Sequence, residues 1–217
     1  MKLKWYGHAA FYFAAEKGLR LITDPYEPGG FGGAINYGPI PDQVDVVLVS
    51  HDHADHNHVQ GLLGKPQVIK GKGTHHYKDL EIRGIPAFHD EGKGSQRGEN
   101  TIFCFTLDEI KVGHLGDLGH IPTEEQLKQI GQVDLLLIPV GGVYTIDPDQ
   151  ASKTVAKIQP KIAIPMHYKT AHCGFPLASV EEFTKGKKVK TYQTSELEIT
   201  RKDLPENLEI IVLQPAL

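Results

Sequence analysis

Ser50-His51-Asp52-His53-Ala54-Asp55-His56 is the stretch on which the reading of this chain turns. Its metal-capable side chains, His51, His53, Asp55 and His56, follow the pattern His-x-His-x-Asp-His. The apolar run Val46-Val47-Leu48-Val49 leads straight into it and reads as a buried strand. The cluster therefore sits where a strand ends and the chain turns. Imidazole and carboxylate are not a soft ligand set; they suit zinc, manganese or iron. On an extended chain His51 and His53 point the same way, whereas the adjacent Asp55 and His56 project differently. One peptide can then offer two ligands to one metal and two to another. The competing reading is a solvated, His-rich turn, and chance rarely places three histidines and an aspartate in this order at a strand end.

Length and composition frame that reading. A chain of 217 residues with 40% hydrophobic content can bury one good-sized core, so a single domain spanning 1–217 is expected. A net charge of -4 and a pI near 6.3 give no electrostatic footprint for nucleic acid. No apolar stretch is long enough to span a membrane, and Met1–Tyr6 carries no signal-peptide pattern. Cys104 and Cys173 make no disulfide framework, which points to a reducing, cytoplasmic setting. Twelve histidines are an excess that calls for a use.

The order of elements can be read coarsely. Leu3–Tyr6, Phe11–Ala14 and Leu19–Thr23 predict a meander ending at Asp24-Pro25. A Gly/Pro-rich loop follows from Pro25 to Pro41; loops this long are usually functional. A short helix is expected from near Asp55 through Leu63. Further strands are expected at Gln67–Lys70, Leu80–Phe88, Thr101–Leu107 and Ile110–His114. Thr123 can cap a helix with Gln126 three residues on, and Asp147-Pro148 reads as cap and first turn of another. Buried strands at Asp134–Ile138 and Lys161–Pro165, a short helix from Ser179 and late strands near Leu197–Thr200 and Leu208–Val212 complete the pattern.

The segment His51-x-His53-x-Asp55-His56 resembles the signature of the metallo-β-lactamase fold superfamily. The resemblance implies an α/β fold, a four-layer αββα sandwich with a mono- or dinuclear metal site at the edge of two mixed sheets. It also implies a further His, Asp and His, in that order, each at a strand end. His89 after Ile82–Phe88, Asp117 after Lys111–Gly116 and His167 after Ile164-Pro165-Met166 match those positions. By the resemblance, one metal takes His51, His53 and His89, the other takes Asp55, His56 and His167, and Asp117 bridges with a hydroxide. Gly7-His8-Ala9-Ala10-Phe11 and Thr23-Asp24-Pro25 narrow the likeness to a branch of small metal-dependent hydrolases similar to the ascorbate-6-phosphate lactonase-like proteins. Asp24 would orient a ligand histidine through its other ring nitrogen, or cap the turn before Pro25. His8 either faces the metal cavity or satisfies a buried backbone group.

The implied chemistry is hydrolysis. A hydroxide held between two divalent ions, zinc first with manganese or iron as alternatives, attacks an ester, lactone or phosphodiester of a small molecule. Asp55 could accept the proton while ligating. His120, Tyr144, Tyr168 or His172 could protonate the leaving group, with His120 put first. His58, His75 and His76 match no ligand position and are placed on the surface. The loop Pro25–Pro41 and the region Gly92–Glu99 are expected to line the pocket. Three alternatives are set against this reading: a nucleic-acid phosphodiesterase, a diiron redox protein, disfavoured by His53, and a metal-binding protein without turnover. The expected partner is a small molecule, with neither nucleic acid nor membrane; a homo-oligomer stays open.

Overall fold

The chain builds two mixed sheets from strands that alternate between hairpin and crossover connections. The structure, a computed structural model, describes residues 1–216. β1 (Lys2–Gly7), β2 (Ala10–Ala14) and β3 (Arg20–Thr23) form the antiparallel meander. After the Pro25–Pro41 loop, with its single helical turn α1 (Gly30–Gly33), β4 (Val46–Val49) and β5 (Gln67–Lys70) add in parallel. A second meander follows: β6 (Gly73–Tyr77), β7 (Leu80–Phe88), β8 (Glu99–Leu107) and β9 (Ile110–His114). Helices α2 (Glu124–Ile130) and α3 (Pro148–Ile158) are the crossovers to β10 (Leu135–Pro139) and β11 (Ile162–Met166), which pair parallel. Helix α4 (Val180–Thr184) and the short strands β12 (Val189–Thr191), β13 (Glu196–Glu198) and β14 (Glu209–Val212) finish the chain. The sheets run β13-β1-β2-β3-β4-β5 and β12-β14-β11-β10-β9-β8-β7-β6.

Local chemistry explains the helix limits. Thr123 and Gln126 cap α2 reciprocally, at 3.2 and 2.9 Å. Asp147 and Gln150 do the same for α3, with Pro148 in the first turn, where its missing N–H costs nothing. β10 and β11 are buried along their whole length, as parallel strands covered on both faces must be. That is why Leu135–Ile138 and Ile162–Ile164 read as continuous apolar runs rather than alternating ones.

The main core lies between the sheets. Leu3, Trp5, Phe11, Phe13, Leu21 and Val46 face Phe103, Phe105 and Val112, and Phe13 meets Phe105 edge-to-face at 5.4 Å. Helix α2 packs on β7 of the eight-stranded sheet, and α3 packs against α2 and α4. The outer face of the six-stranded sheet carries Tyr6, Tyr12, Ile22, Val47 and Val49, and there the cover is Tyr26, Ile35, Tyr37 and Ile40 of the Pro25–Pro41 loop. That layer is loop rather than helix because Gly29, Gly30, Gly32, Gly33 and Gly38 carry a high entropic cost in a helix. The helix expected from Asp55 is only a 3₁₀ turn at Val59–Gly61. Ala54 O accepts from Glu27 N and His58 N donates to Pro25 O, so the segment's backbone is drawn to the preceding loop. Among the described residues no helix is long and apolar enough to cross a membrane.

Candidate metal centre

Strand ends assemble the site. His8 follows β1, Asp24 follows β3, His89 follows β7 and His167 follows β11; His51 and Asp117 lie just past β4 and β9. All are at one edge of the sandwich, the carboxyl end of the parallel strands, where open α/β sheets place their ligands. Two backbone hydrogen bonds stitch the sheets together there: His167 N donates to His8 O at 3.1 Å and Thr101 N to Ser50 O at 2.9 Å. His8, Asp24 and His167 have φ of 51°, 40° and 51°, in the left-handed region that L-residues with a side chain enter only at a cost. Asp117 depends on its neighbour. Gly116 has φ 55°, and a Cβ there would lie 2.4 Å from Asn100 Oδ1 and 2.6 Å from Ser50 Cβ. That approach lets Asp117 N donate to Asn100 Oδ1 at 3.0 Å, while Asn100 Nδ2 donates to Leu115 O at 2.9 Å.

The structure brings the expected ligand positions together. His51, His53 and His89 form one group and His8, Asp55, His56 and His167 another, with the candidate ligand atoms of each group within 4.8 Å of one another. His51, His56 and Asp117 form a third group that joins the two. Asp117 Oδ2 lies 3.1 Å from His56 Nε2, 3.2 Å from His89 Nε2, 3.2 Å from His167 Nε2 and 3.9 Å from His51 Nε2. One carboxylate oxygen thus stands between imidazoles of both main groups. His8, which the sequence left open, belongs to the cavity: its Nε2 is 3.1 Å from Asp55 Oδ2 and its ring lies 4.0 Å from that of His167.

Buried partners aim the rings. Asp24 accepts from Ser50 N at 2.7 Å, from Ser50 Oγ at 2.8 Å and from His114 Nε2 at 2.7 Å. Its Oδ2 also lies 3.2 Å from His56 Nδ1. Ser50 Oγ contacts His51 Nδ1 at 2.9 Å. One aspartate therefore stands beside His56 and reaches His51 through Ser50. Such contacts fix which ring nitrogen is free to bind.

Burial and charge pull in opposite directions. Burial pushes His51 down to about 3 and His8 down to about 4, both with help from neighbouring histidines. Both rings are therefore neutral, the form that binds metal. Burial works against charge at His56 too, but Asp117 and Asp55 outweigh it and hold that ring well above the usual range. Burial opposes ionisation of Asp117, yet His167 and His56 keep its carboxyl well below the ordinary carboxylate range. His51 Nε2, His56 Nε2, Asp55 Oδ1 and Asp117 Oδ1 are buried and make no hydrogen bond among the described residues. Buried polar atoms are rarely left so. Orphaned imidazole and carboxylate atoms converging from separate strands fit divalent metal ions of zinc, manganese or iron character.

The expected proton donors fare differently. His120 Nε2 accepts from Phe88 N at 3.2 Å and its Nδ1 donates to Ile121 O at 2.9 Å. Both nitrogens are thus engaged with backbone, and His120 is not among the residues that line the cleft. Tyr168 is buried against Trp5, at 5.3 Å. His172 lies on Tyr37, with its Nδ1 at Asn36 O. Tyr144 remains: it lines the cleft, and its hydroxyl makes no hydrogen bond among the described residues. His76 is exposed, whereas His58 and His75 are half-buried; none of the three joins a ligand group.

Over the site opens a cleft of about 520 Å³, walled by Phe31, Tyr144 and Phe175 and floored by His53, Asp55, His89, Asp117 and His167. Phe31 comes from the Pro25–Pro41 loop and Arg97, also on the wall, from the Gly92–Glu99 region. Those two segments were expected to line a pocket, but which residue would do so was not legible. Phe175 was missed altogether, since nothing in its segment marks it.

Comparison with known proteins bears on this geometry. Residues 2–167 match the family model described as a beta-lactamase superfamily domain. A protein of Methanoculleus marisnigri named UPF0173 metal-dependent hydrolase is 29% identical, covering 84% of this chain and 87% of its own. A protein of the same name from Carboxydothermus hydrogenoformans is 30% identical, covering 78% of this chain and 85% of its own. A crystal structure from Thermotoga maritima, described provisionally as a Zn-dependent hydrolase of the metallo-beta-lactamase superfamily, is 34% identical with a TM-score of 0.77, covering 98% of each chain.

Proposed function

The chain belongs to the metallo-beta-lactamase superfamily and to its branch of metal-dependent hydrolases, and from that premise we propose that it hydrolyses an ester, lactone or phosphodiester of a small molecule at a dinuclear centre. His51, His53 and His89 would hold one ion, Asp55, His56 and His167 the other, and Asp117 both. Two divalent cations bound there would bring the pKa of a water down to about 7 and polarise the oxygen of the scissile group. The observation that carries the reading is Asp117 Oδ2, within 4 Å of imidazole nitrogens from both groups, beside buried ligand atoms without hydrogen bonds.

The chain's own residues supply the rest. Asp24 and Ser50 hold His56 and His51 in one ring orientation, so binding needs little reorganisation. Asp55 Oδ1 makes no hydrogen bond among the described residues while Oδ2 faces His8; Asp55 would hold the ion through one oxygen and could take up a proton at the other as the nucleophile forms. Phe31, Tyr144 and Phe175 exclude water from one side of the cleft, which strengthens every electrostatic interaction within it. The Tyr144 hydroxyl, the free donor on that wall, can hand a proton to the departing oxygen. A cleft of about 520 Å³ is of the size that encloses small ligands. The test is elemental analysis of purified protein, then a screen of lactones, esters and phosphodiesters with zinc or manganese. Turnover that needs metal supports the proposal; metal-loaded protein inert towards all three classes contradicts it.

A further inference from the structure

Arg97 is a cation without an anion. Its guanidinium lines both the cleft over the ligand groups and an adjoining pocket of about 220 Å³. Among the described residues its guanidinium makes no hydrogen bond or ion pair, and its nearest described partner is a ring: Arg97 Cζ stands 5.5 Å from the centroid of Tyr144. Stacking of this kind orients the planar guanidinium and leaves its N–H fork to point elsewhere.

The carboxylates nearby are already engaged. Asp90 accepts backbone N–H groups from Gly94, Gln96 and Arg97 itself, at 3.0, 3.0 and 2.8 Å. Glu91 accepts from Gln150 Nε2 at 2.6 Å, and Asp52 is paired with Lys70. Asp55 and Asp117 face imidazoles. The Asp90 contacts also show that the loop is built: the carboxylate next to His89 clamps the backbone of Arg97, so the cation is carried on a fixed arm.

The wall that runs on from Tyr144 is apolar. Phe31 meets Phe175 edge-to-face at 5.3 Å, and Tyr144 meets Phe175 at 5.7 Å. Phe31 is 52% exposed and has φ 53°. A phenyl ring held in the left-handed region and left half in water gains little from the fold, and such strain collects where a ligand is gripped.

We propose that the substrate is an amphiphilic anion, an ester or lactone whose apolar body lies against Phe31, Tyr144 and Phe175 and whose carboxylate or phosphate, distal to the scissile bond, pairs with Arg97. The inference rests on the hydrolase reading above and assigns Arg97 as its specificity-determining residue. A bidentate, charge-assisted pair supplies both energy and register, placing the scissile group over Asp117.

The test uses the full chain loaded with zinc and three esters of one leaving group: phenyl hydrogen adipate, its neutral methyl ester, and phenyl 5-phosphonopentanoate. The wild type is expected to show a lower KM for the two anions than for the neutral diester. Arg97→Gln is expected to raise KM for the anions about 10- to 100-fold, with a much smaller change for the neutral ester. Arg97→Lys restores part of the loss, and Phe31→Ala weakens all three phenyl esters. The larger Arg97→Gln effect, on adipate or on phosphonate, tells carboxylate from phosphate. Equal KM for charged and neutral esters, or equal losses for both in Arg97→Gln, overturns the proposal. If none of the esters turns over, the ester-hydrolase reading fails separately. Calorimetry with adipic acid monoanilide then decides: saturable binding to wild type that Arg97→Gln abolishes sustains the anion site, and absence of binding to wild type overturns it.

Discussion

The two ligand groups differ in how they are held. His8, Asp55, His56 and His167 are all buried, at 1%, 7%, 0% and 1% exposure. They are braced by Asp24 beneath His56 and by the His8–Asp55 contact. His51, His53 and His89 open to the cleft through His53, which is exposed and whose ring makes no hydrogen bond among the described residues. The first group is a prepared socket; the second has one ligand free to move. Rigid, pre-oriented ligands lose less freedom on binding, so the buried group should take the first ion and keep it longest. The open group, facing the substrate side, should exchange its ion readily.

The largest expected effect is at the residue the groups share. Asp117→Asn keeps the size but removes the charge standing between them, so both groups should weaken together and hydrolysis should fall by orders of magnitude. Circular dichroism and metal content, measured beside activity, check that the loss is not unfolding. His76→Ala, on the exposed edge strand β6, should change none of the three. If Asp117→Asn leaves both occupancies intact, the carboxylate does not join the two groups.

Two ligand substitutions separate the groups. His53→Ala should bring occupancy close to one ion per chain with the fold intact, whereas His167→Ala should lose the buried ion and lower thermal stability as well. The reverse ranking, read by elemental analysis and melting, would assign the prepared socket to the wrong group. Asp24→Asn should act at one remove, weakening metal affinity by about 10- to 100-fold, as is typical when the partner of a ligand histidine is lost. Affinity equal to wild type would reduce Asp24 to a turn cap.

A smaller effect should appear with pH in the metal-free protein. His8 and His51 have folded pKa values pushed down to about 4 and about 3, below an unfolded value of about 6.5. The unfolded chain therefore binds more protons below that value, and stability should fall as pH drops from about 6.5 towards 4. His56 is raised, so its contribution runs the other way: present below about 6.5 and lost as pH rises through its folded pKa. His53 is lowered by burial as well, and His89 is raised by Asp117 against its burial; three lowered rings against two raised ones leave acid as the destabilising direction, by a few degrees in melting temperature. A metal-free protein that melts higher at pH 5 than at pH 7 would contradict this balance.

The site was more legible in the sequence than its surroundings, for a physical reason. Ligands that must converge from separate strands have to stand at strand ends, so His89, Asp117 and His167, each after an apolar run, could be matched to the ligand order that the superfamily resemblance implies. Helix caps were equally plain, because Thr123–Gln126 and Asp147–Gln150 act locally. β6 was not anticipated: Gly73-Thr74-His75-His76-Tyr77 is a polar edge strand whose partner, β7, lies across a turn, and nothing in its pattern shows a buried face. β12 is three residues, Val189-Lys190-Thr191, preceded by Lys187 and Lys188. The helix expected after Asp55 lost its backbone hydrogen bonds to the Pro25 loop, a long-range contact no window of sequence contains. Arg97, Phe31 and Phe175 were invisible as individuals for the same reason. Their loops carry no periodicity, and what makes them a wall is the fold that brings them together.

The central claim is that Asp117 joins two unequal metal groups. Titration of chelator-treated protein with zinc, followed by calorimetry and confirmed by elemental analysis, tests it directly. The account predicts two ions per chain bound in two resolved steps, with His53→Ala deleting the weaker step and keeping the tighter one. Two identical steps, or a weaker step that survives His53→Ala, would contradict the division between a buried and an open group. A stoichiometry of zero would remove the metal centre itself.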